Sequence, residues 1–267
     1  MDKVLISVAP VASTDKNIVP AKIAADVLNC WKAGAAMVHL HVRDALGNLT
    51  TDMSVLAETL RLIRKDSDII IQVSTGGVSN LSIKERCTPL YSDLVEASSL
   101  NVGSTNLGKF VYCNPIDDVE YCIGELLKMK KTPEVEVFEI GHIFAMKELM
   151  QQYEFRSPIL FSIVLGHKGE APATPEALAA MIQMIPTGTL WGITHANRRD
   201  FSIIAAALGM GASTVRIGFE DSNYLDATTV VDTNVPLVEK TIRLLRAMDK
   251  EPMSPAEARQ QFNIFSK

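Results

Sequence analysis

Short apolar runs alternate with stretches of helical periodicity along the whole chain. Strand candidates lie at 4–9, 36–42, 69–73, 96–102, 134–139, 159–165, 189–194 and 213–218. Helix candidates fall between them, near 21–34, 53–65, 80–90, 116–130, 143–152, 175–184, 199–208 and 235–248. Thr174-Pro175-Glu176 is a helix start, a capping residue followed by proline in the first turn. Gly188 and Gly209-Met210-Gly211 mark helix ends. Residues 255–262 add one further helix, opened by Ser254-Pro255. Strict alternation of strand and helix implies a parallel sheet, and eight such units in 267 residues favour a closed barrel over an open sheet. No Gly-x-Gly-x-x-Gly follows the first strand, which argues against a dinucleotide-binding half. The expected fold is α/β, a (β/α)8 TIM barrel. It forms a single domain over 1–267, with the extra helix at its C-terminal end.

In such a barrel the reactive groups gather at the C-terminal ends of the strands. All five histidines fall at or just past those ends: His39, His41, His142, His167 and His195. His39-Leu40-His41 is the most telling pair, because residues two apart on a strand share a face and two imidazoles at that spacing reach one ion. The third ligand should be a carboxylate or another imidazole. Glu220 is the first choice, since strands eight and two flank strand one in a barrel; Glu139, His167 and His195 are weaker candidates. Two imidazoles and one carboxylate suit zinc and also iron(II), and manganese stays open.

Composition narrows the field further. The net charge of -5 leaves no electrostatic footprint for nucleic acid or an anionic membrane. The apolar run 4–9 is too short for a membrane span and no signal-peptide cleavage pattern follows, so the reading is cytoplasmic. Cys30, Cys87, Cys113 and Cys122 form no C-x-x-C pair and read as reduced, space-filling thiols. Apolar and methionine-rich stretches suggest surfaces shared between copies, hence a homo-oligomer.

Six segments carry a resemblance that covers nearly the whole chain. They are His-Leu-His-Val-Arg-Asp at 39–44, Gln-Val-Ser-Thr-Gly-Gly at 72–77, Leu-Asn-Val-Gly-Ser-Thr-Asn at 100–106, Pro-Glu-Val-Glu-Val-Phe-Glu at 133–139, Val-Leu-Gly at 164–166 and Arg-Ile-Gly-Phe-Glu-Asp at 216–221. In this order on one barrel they resemble the β-keto acid cleavage enzymes. The resemblance implies a zinc-dependent barrel that condenses a β-keto acid with acetyl-CoA, then releases acetoacetate and a new CoA thioester. It implies His39, His41 and Glu220 as ligands of one zinc ion per chain, and Asp221, Arg216 and Glu139 as the proton-handling group. Ser74, Ser104 and Asn106 fall where the family contacts its keto acid. It also implies a tetramer.

The chemistry follows from the residues. A ketone and carboxylate in β relation can chelate one metal, which acidifies the carbon between them and leaves the proton for a nearby carboxylate. Asp221 must then lie where the chain has begun to turn, because on a strand it would face away from Glu220. Glu139 is expected to be buried and, with Arg216, to orient Asp221. Gly76, Gly77 and Gly103 allow close backbone approach to carboxylate or thioester oxygens. Arg43 and Asp44 read as a structural pair, His142 as a helix-start residue, and Trp31 and Trp191 as packing.

Two loops depart from the family. Thr14 stands where family members that act on an aminated keto acid have an acid for the ammonium group, with Asp15 one residue away, which points to a neutral or anionic distal group. The loop after strand six, His167-Lys168-Gly169-Glu170, replaces a more glycine-rich stretch. Lys168, Arg198 and Arg199 add positive charge at the mouth, a site for CoA phosphates or a second carboxylate. The competing readings are a metal-dependent aldolase or hydrolase without CoA, and a binding protein with a relict metal site.

Overall fold

The computed structural model describes residues 2–265. The barrel strands are β1 (Asp2–Val8), β2 (Met37–Leu40), β3 (Ile70–Ser74), β4 (Ala97–Asn101), β7 (Thr132–Val137), β8 (Leu160–Leu165), β9 (Leu190–His195) and β10 (Thr214–Ile217). All neighbours pair in parallel, and Leu5↔Thr214 through Val8↔Ile217 join β10 back to β1, which closes the barrel. The helices between them are α1 (Pro20–Ala33), α2 (Ser54–Asp66), α3 (Ile83–Arg86), α4 (Ile116–Lys128), α5 (Ile140–Gln152), α6 (Pro175–Met184), α7 (Ser202–Gly209) and α8 (Val235–Ala247). After α8 come a short strand, β11 (Lys250–Pro252), which adds to the start of β1, and α9 (Pro255–Gln261).

Strand parity sorts the core. Val4, Ile6, Val38, Leu40, Ile71, Val73, Val135, Val137 and their counterparts face outward and pack with the helices in one continuous apolar layer. The alternate positions face inward, in levels. At the N-terminal end Leu5, Ala36, Met37, Ile70 and Leu160 form an apolar floor, sealed from below by Met253, Ala258, Phe262 and Ile264. The seal depends on α9. Ser254 caps that helix through a capping box with Glu257, and Pro255 opens its first turn. Above the floor the inward positions turn polar: Ser7, Gln72, Ser99, Glu134, Ser162 and Thr194 are all buried.

One insertion was not foreseen. Between β4 and α4 the chain makes a hairpin, β5 (Thr105–Leu107) with β6 (Phe110–Tyr112), turned at Gly108-Lys109. Gly108 has φ +68°, the left-handed conformation that a two-residue hairpin turn demands at its first central position. Its signal was present in the sequence as a glycine between two short strand-like runs. The hairpin folds back on the barrel mouth, and Tyr112 lies so close over Gly76 that a Cβ there would sit 1.2 Å from its hydroxyl. Helix α3 is also shorter than the 80–90 segment suggested, giving way to a single 3-10 turn at Thr88–Tyr91.

Candidate active site and metal centre

His39 occupies an inward position of β2, and His41 follows just beyond the strand's end. Their rings stand 5.2 Å apart. Glu220 comes from the turn after β10, where Gly218 adopts φ +133° with the Ala9 carbonyl where a Cβ would be. That turn, tied down by Glu220 N–H to Ala9 C=O at 3.1 Å, carries the carboxylate over β1 toward β2. Glu220 Oε1 lies 3.3 Å from His41 Nε2 and 3.8 Å from His39 Nε2. Among the described residues these three form the one group of ligand atoms within 4.8 Å of one another suited to a metal ion.

The surroundings orient the ligands. His39 Nδ1 is 2.6 Å from Gln72 Oε1, and the Gln72 amide in turn donates to Glu134. An amide that spends its N–H₂ on a carboxylate leaves its oxygen to accept, so His39 carries its proton on Nδ1 and aims the Nε2 lone pair at Glu220. Burial pulls the His39 pKa down to about 3 against the attraction of Glu220, which keeps the ring neutral and available to a metal.

Beside the ligands lies an ionic knot. Arg216, inward on β10, donates to both oxygens of Asp221 (3.1 and 2.7 Å) and to Glu136 Oε1 (3.0 Å), and stands 3.4 Å from Glu220. Burial works against the charge on Arg216, but Asp221, Glu220 and Glu136 together raise its pKa well above the ordinary value. Burial would also raise the Glu220 carboxyl; His41, Arg216 and His39 outweigh it and hold that carboxyl well below the usual range. For Asp221 burial wins over Arg216 and the pKa is raised. Burial pushes Glu136 up to about 7 against Arg216. One guanidinium thus faces three carboxylates, an excess that a divalent cation beside Glu220 would balance. The donor set of two imidazoles and one carboxylate, with the tautomer fixed, fits such an ion.

Asp221 sits within the post-strand turn, as the sequence required, its N–H bonded to the Gly218 carbonyl at 3.0 Å. Glu139 does not meet expectation: it is exposed, at the N-cap of α5, and its place against Arg216 belongs to Glu136. The reason is parity. Strand β7 ends at Val137, its inward acids are Glu134 and Glu136, and Glu139 falls beyond the end and out of phase with them.

The expected substrate contacts divide. Ser74 is buried on the inward face of β3, bonded to Gly76 N–H at 3.1 Å, and lines a cleft with His41, Gly76 and Arg86. Gly77, at φ +135°, packs against Leu49. Thr14 shares with Glu220, Asp221 and Arg199 an open cavity of about 580 Å³ at the mouth. Ser104 and Asn106 are exposed; Ser104 accepts the Asn114 N–H at 2.8 Å and Asn106 packs on Gly169. Arg198 is no mouth charge. It is 1% exposed, donates to the Tyr224 carbonyl at 2.6 Å and lies under Phe201. Arg43 and Asp44 do not pair with each other: Arg43 holds the Gly47 carbonyl, and Asp44 the Leu46 and Asn48 amides. His142 opens α5 and accepts the Phe138 N–H at 3.3 Å. Burial takes both His167 and His195 down to about 4. Sequence reasoning missed Gln72, Glu134 and Glu136, although alternating acids within 133–137 were a legible sign of an inward polar face.

Known proteins resemble this chain over nearly its whole length. The 3-keto-5-aminohexanoate cleavage enzyme of Fusobacterium nucleatum is 34% identical over 91% of this chain and 89% of its own. The 3-oxoadipate:acetyl-CoA acetyltransferase of Cupriavidus necator is 31% identical over 98% of this chain and 95% of its own. Among solved structures, apo ObcA superposes with a TM-score of 0.80 at 18% identity, which speaks to the fold alone. The match covers 93% of this chain, and this chain spans only 65% of that one. The family model described as beta-keto acid cleavage enzyme matches residues 3–264, and the chain belongs to that enzyme family.

Proposed function

We propose that this protein is a zinc-dependent acyltransferase that condenses a β-keto acid with acetyl-CoA to give acetoacetate and a new acyl-CoA. The observation that carries the reading is the joint placement of His39, His41 and Glu220 around one point, with the Arg216–Asp221 pair beside it, in a chain whose relatives include acetyl-CoA-dependent transferases. His39, His41 and Glu220 would hold the zinc ion, which when bound supplies a Lewis acid for the ketone of the keto acid.

The remaining steps belong to the chain's own groups. Asp221 removes the proton from the carbon between ketone and carboxylate. Burial makes it a better base than a free aspartate, and two hydrogen bonds from Arg216 fix its direction. The carbon then attacks the acetyl carbonyl and the CoA thiolate leaves. The thiolate adds to the original ketone, the carbon–carbon bond breaks, and acetoacetate departs with the Asp221 proton returned to it. Glu136 shares Arg216 and, with a pKa near 7, buffers the charge that Asp221 gains and loses. Ser74 and the Gly76 backbone border the cleft beside His41 and contact the keto acid. The cavity that reaches from Asp221 past Thr14 to Arg199 admits the acetyl-CoA thioester. The protein works as a homo-oligomer in the cytoplasm.

The test is an assay of the purified, zinc-loaded protein against a panel of β-keto acids, with and without acetyl-CoA, following acetoacetate by mass spectrometry. Acetoacetate formed only with acetyl-CoA supports the reading. Cleavage without acetyl-CoA would replace it by a metal-dependent aldolase or hydrolase.

A further inference from the structure

Glu220 reaches the two histidines across the seam where the barrel closes. His39 and His41 belong to the second β/α unit and Glu220 to the last, with β1 paired between β10 and β2. The two halves must be fixed against each other, because a carboxylate displaced by about an ångström no longer shares an ion well with two imidazoles.

One buried amide spans that seam. Asn234 is wholly buried and stands at the N-cap of α8. An asparagine there ordinarily turns its side-chain oxygen to the first N–H groups of its own helix, but this one makes no such bond. Its Oδ1 accepts the Phe219 N–H at 3.0 Å, and its Nδ2 donates to the Pro10 carbonyl at 3.1 Å and to Asp26 Oδ2 at 2.6 Å. The other oxygen of Asp26 accepts the Asn234 N–H at 3.2 Å. Both amide hydrogens and the amide oxygen are engaged, which leaves the group one orientation.

These bonds join four places. Pro10 follows β1, Phe219 immediately precedes Glu220, Asp26 lies on α1, the helix that leads into the histidine strand, and Asn234 opens α8. Four successive N–H groups run through the turn that carries Glu220. That of Glu220 goes to the Ala9 carbonyl, and those of Asp221 and Ser222 go to the Gly218 carbonyl. Only the Phe219 N–H is met by a side chain. Removing that oxygen leaves an N–H unmet one residue before Glu220, and the turn shifts to satisfy it.

We propose that Asn234, held by Asp26, is a positioning residue of the metal centre, setting the turn that aims Glu220 at His39 and His41. The inference rests on the metal-binding part of the function proposed above. The side-chain partners of Asn234 are two backbone groups and Asp26, so it acts through the placement of Glu220.

The test measures zinc affinity by chelator competition, the visible absorption spectrum of the cobalt(II)-loaded protein, and the melting temperature without metal. Asn234→Leu should weaken zinc about 10–100-fold and alter the cobalt bands, the effect expected when a ligand loses its support. Asn234→Asp keeps an oxygen for the Phe219 N–H but sets a carboxylate against Asp26, and should also weaken zinc. Adding Asp26→Asn restores a donor between the two side chains and should recover part of that loss; this pair carries the test if the leucine variant does not fold. Ser254→Ala removes the cap of α9 at the floor and should lower the melting temperature with both metal readouts unchanged. Wild-type zinc affinity and cobalt bands in either Asn234 variant overturn the positioning role, as does an equal loss of zinc in Ser254→Ala. A wild type that binds neither ion overturns the metal centre and this inference together. One that binds both but forms no acetoacetate from any keto acid overturns only the function proposed above.

Discussion

The two ends of this barrel obey opposite rules. At the floor, Leu5, Met37, Ile70 and Leu160 meet Met253 and Phe262 in an apolar cluster. At the mouth, one arginine, three carboxylates and two imidazoles crowd together, and His41 Nδ1, Asn101, Glu170 Oε2 and His195 Nδ1 lack partners. The floor gains stability by excluding water and completing its packing. The mouth gives stability up to keep polar groups ready for something that arrives later. Stability and chemistry are thereby separated along one axis, and each can be removed without the other.

The sharpest break of that separation is Asp221→Asn. It should lower kcat by about 10³-fold, the middle of the range for a lost general base, with bound zinc unchanged by elemental analysis and the melting temperature near that of the wild type. If zinc is lost with the activity, Asp221 belongs to the metal centre instead. Phe262→Ala makes the mirror change. It should cost about 3–5 kcal/mol in denaturant unfolding yet leave kcat/KM of the folded fraction unaltered. A parallel fall in kcat/KM would mean that the floor shapes the site.

Gln72→Leu sits between the two ends and sharpens the comparison. It should weaken zinc about 10–100-fold in competition with a chelator, because His39 loses the group that fixes its tautomer. The smallest effect separates two acids of one segment. Glu139→Gln should change kcat by less than about threefold, whereas Glu136→Gln should lower it at least about tenfold, since only Glu136 touches Arg216.

That last pair shows where the sequence stops being legible. Buried parallel strands announce themselves as apolar runs, so all eight barrel strands stand within a residue or two of their expected places. The clustering of His39, His41 and Glu220 was legible for a related reason. Two histidines two apart on a strand share a face whatever the rest of the fold does, and barrel closure brings Glu220 to them. Glu139 went astray because strand β7 stops at Val137. Glu139 also stands an odd number of positions from Glu136, and an odd step along a strand exchanges a buried acid for an exposed one. Arg198 went astray because nothing local says that a loop arginine will be swallowed by the carbonyls of a distant turn.

The sealed floor has a kinetic meaning. A vessel stoppered by α9 is closed at its floor, so two reactants and two products share the mouth. Whatever reaches down to His39, 2% exposed, has to be seated before a bulkier companion fills the entrance, and it leaves after that companion has gone. The order of traffic is then written into the wall of the barrel, and product-inhibition patterns read it out.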